Sequence, residues 1–150
     1  MSTRPNIIIL GAGSLIAPWM VERLTRKGLS GQCYSRTQIR FDRAENFVWQ
    51  PFDSIFPEDF SPPSQSIVIS LLPLWLLPSL LPQLKGCRQL IDFSTTSIFS
   101  KRDSPDPEEQ KLIKTIKVAE NEIIQVSTAQ KIPWTIIRPT LIYDGYNDHN

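Results

Sequence analysis

The sequence predicts a doubly wound α/β domain, in which helices cover both faces of a mainly parallel sheet in three αβα layers. Apolar, strand-like runs alternate with helical patterns along most of the chain, which is typical of a Rossmann-like fold. The first of these runs ends in a Gly-x-Gly turn that leads into a helix. The 150 residues are enough for one such domain and too few for two.

The first half of the chain contains three predicted strands, over residues 6–10, 31–36 and 46–52. Residues 6–10 form an unbroken apolar run, as expected of a strand buried on both faces. A helix is predicted over residues 14–27, with Pro18 in its first turn and Gly28 at its end. The apolar residues at helical spacing in it are Leu15, Trp19, Val21 and Leu24.

The second half adds strands over residues 66–72, 88–94 and 133–143. Prolines interrupt residues 75–86, so this segment is expected to form only one or two short helical turns. A long helix begins after Asp106, which is a typical cap and is followed by Pro107. Its predicted apolar face consists of Leu112, Ile116, Ala119, Ile123 and Val126.

Composition and charge exclude several classes of function. The formal net charge is +1, which gives no support for general nucleic-acid binding. Cys33 and Cys87 have no metal-ligand or redox spacing, and they indicate reduced thiols in a cytoplasmic protein, with a single disulfide as the alternative. The most apolar stretch, residues 67–81, is broken by Pro73 and Pro78 and predicts no membrane span. No metal site is expected.

The turn after the first strand is the main candidate site. Gly11 and Gly13 follow the strand and precede the helix, which is the context that a dinucleotide-binding turn requires. There the backbone can approach a pyrophosphate closely, and the helix start directs free N–H groups toward the anion. The third glycine of the motif is missing, and Ile16 or Ala17 stands in its place, depending on the spacing. A purely structural turn that binds nothing is the alternative.

Four segments resemble the extended short-chain dehydrogenases/reductases, which include the NAD-dependent epimerase/dehydratases acting on nucleotide sugars. "GAGSLIAPWMVERL" is similar to their opening turn, and "LIDFSTTSIFS" to their fifth strand with its Ser/Thr cluster. "VAENEI" resembles their Ala-Glu helix signature, and "WTIIRPTLIYDGYNDHN" their Arg-Pro strand and the following loop. The resemblance covers nearly the whole chain in the right order.

The resemblance implies a set of cofactor-binding residues in the loops after the strands. Gly11, Gly13 and the residues after them would hold the pyrophosphate, and Asp53 would lie beside the adenine. Arg36 matches a position where a basic residue contacts the adenosine 2′-phosphate, so the resemblance favours NADP over NAD. The alternative is that Arg36 is a solvated surface arginine. The implied cofactor-binding residues are Gly11, Gly13, Ser14, Leu15, Ile16, Arg36, Asp53, Leu71, Leu72 and Pro73.

The same resemblance implies a catalytic hydroxyl. Thr95 aligns best with the family's catalytic Ser/Thr, and Thr96 is the alternative if the register slips by one residue. Such a hydroxyl would hydrogen-bond the reacting oxygen of a substrate. It could instead satisfy backbone groups at a strand end.

Two departures from the family pattern limit what the resemblance implies. The acid/base pair Tyr-x-x-x-Lys is absent, because its positions hold Leu112 and Ile116, and Lys117 is one residue out of place. Asp92 and His149 are conceivable replacements without an assigned role. The substrate lobe of the family is also absent, so residues 1–150 form one dinucleotide-binding domain, either a fragment of a longer chain or a protein without that lobe.

Two functions remain open. The chain is either the NAD(P)-binding domain of an oxidoreductase that acts on a nucleotide sugar or another small molecule, or a non-catalytic dinucleotide-binding sensor or scaffold. Apolar surface left without a substrate lobe makes a homodimer a plausible assembly.

Overall fold

The computed structural model describes residues 4–42 and 44–140. Six parallel strands form a single sheet in the order β3-β2-β1-β4-β5-β6. The strands are β1 (Ile7–Leu10), β2 (Gly31–Ser35), β3 (Phe47–Pro51), β4 (Ile67–Ser70), β5 (Gln89–Phe93) and β6 (Trp134–Ile137). The strand order reverses between β1 and β4, which creates a crevice at their carboxyl ends. The predicted doubly wound Rossmann-like fold is confirmed.

The central strand β1 is buried on both faces, because successive side chains of a strand point to opposite sides of a sheet. Ile8 and Leu10 pack into one core, and Ile7 and Ile9 pack into a second core on the other face. All four side chains are at most 2% exposed. The all-apolar sequence of this strand follows from its place between two helical layers.

Helices occupy the two outer layers. They are α1 (Ala17–Arg26), α2 (Ser97–Ser100) and α3 (Pro107–Ala129), together with short 3₁₀ helices at Pro57–Asp59, Leu74–Leu76 and Pro78–Leu84. The start of α3 is capped as predicted, because the Asp106 carboxylate accepts a hydrogen bond of 3.0 Å from the Glu108 N–H. The proline-rich segment forms two 3₁₀ helices in place of a regular α-helix, as its prolines require.

The first helix begins later than its sequence predicts. Residues 14–16 form a turn, in which the Ser14 hydroxyl accepts the Ile16 N–H and the Ser14 carbonyl accepts the Ala17 N–H. Leu15 and Trp19 do not belong to the buried face of α1, since they are 70% and 54% exposed. Val21 carries the packing of α1 against the sheet.

The buried face of α3 matches its prediction except at the first position. Ile116, Ala119 and Ile123 lie in the core, and Val126 packs against it. The predicted face is wrong at Leu112, which is 46% exposed, whereas the neighbouring Ile113 is buried. At the sheet edge β6 ends at Ile137, and the predicted extension over residues 141–143 lies outside the described residues.

Within residues 4–42 and 44–140, no helix combines the length and the apolar character that a membrane-spanning segment needs.

Gly31 at the start of β2 provides a test of the sheet packing. A Cβ atom added there would lie only 1.9 Å from the Ile7 carbonyl oxygen of β1. We expect Gly31→Ala to lower the free energy of unfolding by about 2 kcal/mol or more, because the two strands must move apart. Urea denaturation measures this loss. Gly13→Ala is the control, since its nearest neighbour, the Ile39 Cδ1, lies 3.8 Å away; equal midpoints for the two variants would contradict the close packing at Gly31.

Candidate functional site

An open hollow of about 640 Å³ lies at the carboxyl edge of the sheet, where β1 and β4 diverge. Its walls come from the loops that follow β1, β2, β3 and β4. Small-molecule and cofactor sites in proteins are commonly about 300–1,000 Å³, so this dinucleotide-sized cleft is large enough for a ligand. Neither Ser14 nor Ile16 fills it.

The turn after β1 lies directly against the loop after β4. Gly11 has a φ of +74°, and a Cβ atom there would come within 2.8–2.9 Å of backbone atoms of Leu71 and Leu72. A side chain is therefore excluded by both conformation and space. The Gly11 and Ala12 N–H groups share the Tyr34 carbonyl at 3.0 Å each, which ties the same turn to the end of β2.

Two N–H groups of this turn have no acceptor among the described residues. They belong to Gly13 and Leu15, whereas the Ser14 N–H donates to the Gly11 carbonyl and the Ile16 N–H to the Ser14 hydroxyl. The turn immediately precedes α1, whose N-terminus carries a partial positive charge. Free amides together with the helix start form a suitable environment for an anion such as a phosphate.

The wall after β2 presents Ser35 and Arg36. The Ser35 hydroxyl donates to the Thr37 carbonyl at 2.6 Å and accepts the Trp49 indole N–H at 2.9 Å, so the strand end is fixed in place. Arg36 is exposed and lines the cleft, and none of the ion pairs between described residues includes it. Its charge is therefore available to a ligand.

The wall after β3 is built on an aromatic cluster. The Tyr34 ring stands edge-on to the rings of Phe60 and Phe52, at centroid distances of 5.2 and 6.2 Å. Its hydroxyl donates to the Gln32 side-chain oxygen at 2.8 Å, and burial raises the pKa of Tyr34. Asp53 is half-buried, and its carboxylate accepts the Ile55 N–H at 3.2 Å. The cleft thus has one acidic side chain, Asp53, and one basic side chain, Arg36, on neighbouring loops.

The structure brings most of the sequence-predicted cofactor residues together around this cleft. Those that line it are Gly11, Gly13, Ser14, Arg36, Asp53, Leu71, Leu72 and Pro73. Leu15 and Ile16 do not line it. Sequence reasoning missed the residues Tyr34, Ser35, Thr37, Ile39, Phe52, Ser54, Ile55 and Leu76. The sequence could have indicated them only by their position after predicted strands, because the carboxyl ends of neighbouring parallel strands meet at one edge of a sheet.

Thr95, the predicted catalytic hydroxyl, lies outside the cleft lining. Its hydroxyl accepts the Ser97 N–H and donates to the Ser97 hydroxyl, at 3.1 Å each. The Thr96 hydroxyl donates to the Pro139 carbonyl at 3.3 Å. Both threonines therefore make local bonds that stabilise the loop between β5 and α2, and a catalytic role for Thr95 stays a prediction.

The positions of the missing acid/base pair are occupied by apolar side chains. Ile116 belongs to the core beneath the sheet, while Leu112 points away from that core. Lys117 lies at a separate hollow on the outer side of α3 and does not line the cleft. His149, the one histidine of the sequence, lies outside the described residues.

Asp92 is a completely buried carboxylate beneath the candidate site. It lies next to Ser70 of β4, and no hydrogen bond of full geometry reaches either of its oxygens from the described residues, although the Ser70 hydroxyl and the Phe93 N–H lie close enough to lower its pKa in part. Burial raises the pKa of Asp92 to about 7, and the nearby Glu120 carboxylate adds to that rise. Asp92 does not line the cleft, so it is not positioned to exchange a proton with a ligand there.

A bidentate ion pair joins α3 to the end of β6. The Arg138 guanidinium donates from Nε and Nη2 to the two Glu120 carboxylate oxygens, both at 2.8 Å. Burial alone would raise the pKa of Glu120, but the hydrogen bonds from Arg138 hold it below its usual value. Arg138 also lies 5.7 Å above the Phe99 ring, so the pair connects α3, the end of β6 and α2.

In the described part of the chain, no three His, Cys, Asp or Glu side chains come together in a group that could hold a metal ion.

Comparisons with known proteins identify the fold. No family model and no curated protein matches the sequence. Among solved structures, a short-chain dehydrogenase/reductase from Veillonella parvula is 18% identical with a TM-score of 0.68, and the match covers 96% of this chain and 73% of that one. UDP-glucose 4-epimerase from Thermotoga maritima is 15% identical with a TM-score of 0.65, over 89% of this chain and 54% of the epimerase.

An NAD-dependent NDP-hexosamine 5,6-dehydratase of tunicamycin biosynthesis is also similar. It is 15% identical with a TM-score of 0.63, over 90% of this chain and 54% of the dehydratase. This chain thus spans only about half the length of two of these three proteins. The matched structures belong to the group that the sequence motifs resemble, and they show that the chain has the Rossmann-like fold of that group.

The buried Asp92 predicts a specific dependence of stability on pH. Its pKa of about 7 in the folded protein lies above its ordinary value of 3.8, so the folded protein binds the proton more tightly than the unfolded chain. Stability from this group is fully present below the unfolded-state pKa and is lost as the pH rises through 7. We expect the free energy of unfolding of Asp92→Asn, relative to that of wild type, to increase by a few kcal/mol between pH 4 and pH 8.

Urea denaturation of both proteins across that pH range measures the difference. Asp59→Asn is the matched control, because Asp59 is exposed, and its profile should run parallel to that of wild type. A constant difference between Asp92→Asn and wild type at all pH values would show that Asp92 does not titrate with folding.

Proposed function

We propose that this chain is the NAD(P)(H)-binding domain of an epimerase/dehydratase-like oxidoreductase, and that it prefers NADP(H). The observation that carries the proposal is the turn at Gly11–Gly13, where a side chain is sterically excluded and the Gly13 N–H has no acceptor among the described residues beside an open cleft. A backbone cradle of this kind, placed before a helix, suits a pyrophosphate.

The residues around the cleft fit a dinucleotide along its length. Gly11, Gly13 and Ser14 would hold the pyrophosphate, Asp53 would lie beside the adenine, and residues 71–73 would lie under the nicotinamide-side ribose. Leu15 and Ile16 lie outside the lining, so Leu15 would contribute through its N–H, whereas the Ile16 N–H already donates to the Ser14 hydroxyl and would help to hold the turn. Once bound, the nicotinamide supplies hydride transfer; this chain's part is to bind and orient it.

Arg36 supports the preference for NADP. A 2′-phosphate adds negative charge to the adenosine ribose, and Arg36 on the wall after β2 offers a guanidinium that forms no ion pair with a described residue. The sequence has no Asp or Glu at the end of β2, where an acid would bind the ribose hydroxyls of NAD.

The substrate class and the setting of the protein are part of the same proposal. One matched structure is a UDP-glucose 4-epimerase and another an NDP-hexosamine dehydratase, which supports a nucleotide sugar as the substrate, with another small molecule as the alternative. Both cysteines are buried free thiols, and burial raises the pKa of Cys33 to about 12, which suits a cytoplasmic protein. A homodimer is compatible with the exposed apolar residues.

The preference for NADP can be tested at Arg36. We expect Arg36→Ala to weaken NADPH binding about 10- to 100-fold, because a charge-assisted contact with phosphate contributes roughly 1.5–3 kcal/mol. NADH binding should change less than about twofold. Titrating each cofactor against tryptophan fluorescence measures both values.

Arg40→Ala is the matched control, since Arg40 lies in the same loop and does not line the cleft. Equal NADPH affinities of Arg36→Ala and Arg40→Ala would contradict the 2′-phosphate assignment while leaving dinucleotide binding intact.

A non-catalytic dinucleotide-binding sensor or scaffold is the second candidate function. It is favoured by one specific observation, the replacement of the Tyr-Lys pair by exposed Leu112 and buried Ile116. Neither side chain can donate or accept a proton, and the usual general acid would contribute several powers of ten in rate.

Thr95 distinguishes the two candidates. Because Thr95 lies outside the cleft lining, we expect Thr95→Val to leave the NADPH Kd within about twofold of wild type. Turnover of UDP-glucose with either cofactor, followed by NMR of the products, then separates the functions. A wild-type turnover that Thr95→Val abolishes supports the oxidoreductase, whereas cofactor binding without turnover supports the sensor or scaffold. A large loss of NADPH affinity in Thr95→Val would contradict the position of Thr95.

A further inference from the structure

We propose that this domain has a second anion site, a basic hollow on α3 that binds the phosphate group of a small molecule. The hollow measures about 440 Å³ and lies between α3 and the loop that precedes it. It shares no lining residue with the dinucleotide-sized cleft. Its lining residues are Arg102, Asp103, Gln110, Ile113, Lys114 and Lys117.

The wall of the basic hollow is held in place by bonds between the loop and the helix. The Gln110 amide donates to the Ser104 carbonyl at 2.6 Å, and the Ser104 hydroxyl accepts the Asp106 N–H at 3.2 Å. Lys101 forms an ion pair of 2.5 Å with Glu109. The loop is thus attached to the first turns of α3 before any ligand arrives, which reduces the ordering that binding would require.

The charges of the hollow are not balanced by the described residues. Three cations and one acid line it, and the acid, Asp103, lies 3.6 Å from Arg102. None of the ion pairs between described residues includes Lys114 or Lys117. Two ammonium groups therefore remain without a counterion from the described part of the chain.

The positions of these lysines on the helix add to the excess of positive charge at the hollow. Lys111, Lys114 and Lys117 follow one another at spacings of three residues, and like charges at that spacing repel. The acid three residues after Lys117 is Glu120, but Arg138 occupies both of its carboxylate oxygens. An anion bound between Lys114 and Lys117 would relieve this repulsion.

A phosphate group matches the chemistry of the hollow better than a single carboxylate. Two free ammonium groups with a guanidinium beside them suit a group that carries up to two negative charges and several acceptor oxygens. Ile113, at 5% exposure, forms a buried apolar floor beneath the lysines.

Amide chemical shifts of the ¹⁵N-labelled chain, titrated with inorganic pyrophosphate, test this proposal. We expect the signals of residues 110–117 to shift, and the affinity measured from them to fall at least tenfold in the double variant Lys114→Gln/Lys117→Gln. Lys111→Gln is the matched control, since it removes a lysine of the same row that does not line the hollow; it should bind pyrophosphate as wild type does.

Shifts at residues 11–15 report the dinucleotide-sized cleft separately, so failure of one site is distinguishable from failure of the other. Equal affinity at residues 110–117 in wild type and the double variant, or shifts confined to residues 11–15, would overturn the second site. Should the double variant not fold, Lys114→Gln alone serves the same test, because Lys114 is exposed and contributes nothing to the core.

Discussion

The close contact between the turn after β1 and the loop after β4 is the constraint on which the candidate site depends. At Gly11 the backbone comes so near to Leu71 and Leu72 that no Cβ atom fits, and its φ of +74° lies in the region that favours glycine. The two strands diverge there because the sheet order reverses between them. As a result, the floor of the crevice is main chain, and its polar groups are amides that do not depend on side-chain identity. The cleft and the position of α1 both follow from this contact.

The cleft and the region of β5 and α3 next to it have different chemical capacities. The cleft combines amides and an Arg36 that have no partner among the described residues with an aromatic wall, which together suit the binding of an anionic ligand. The region of β5 and α3 has Ile116 in the core, and its threonine hydroxyls bond to neighbouring groups of the chain. Binding needs only the cleft, whereas proton transfer needs a titratable group in the neighbouring region. The buried Asp92 and Glu120 beneath the loop strengthen this contrast, since one is shielded from the cleft and the other is neutralised by Arg138.

The helix α3 separates two electrostatic environments. Its inner stripe packs in the core through Ile116, Ala119 and Ile123, and its neighbouring stripe carries Lys114 and Lys117 to the basic hollow. A step of one residue corresponds to about 100° around a helix. Lys117 therefore belongs to the outer hollow even though it is adjacent in sequence to the position where a catalytic lysine would stand. The same angular step separates the exposed Leu112 from the buried Ile113.

The sequence by itself determined the parallel sheet, the order of its elements and the place of the glycine turn, because apolar runs, proline positions and helix caps act over a few neighbouring residues. Asp106, Gly11 and the all-apolar strand β1 are clear cases. Only the tertiary structure decided that Tyr34 and Phe52 line the cleft, that Leu15 and Thr95 lie outside it, and that Asp92 is completely buried. It also decided that Leu112 of α3 is exposed and Ile113 buried. These outcomes depend on how distant segments pack against one another, and a local pattern carries no information about which neighbours will occupy the space around a side chain.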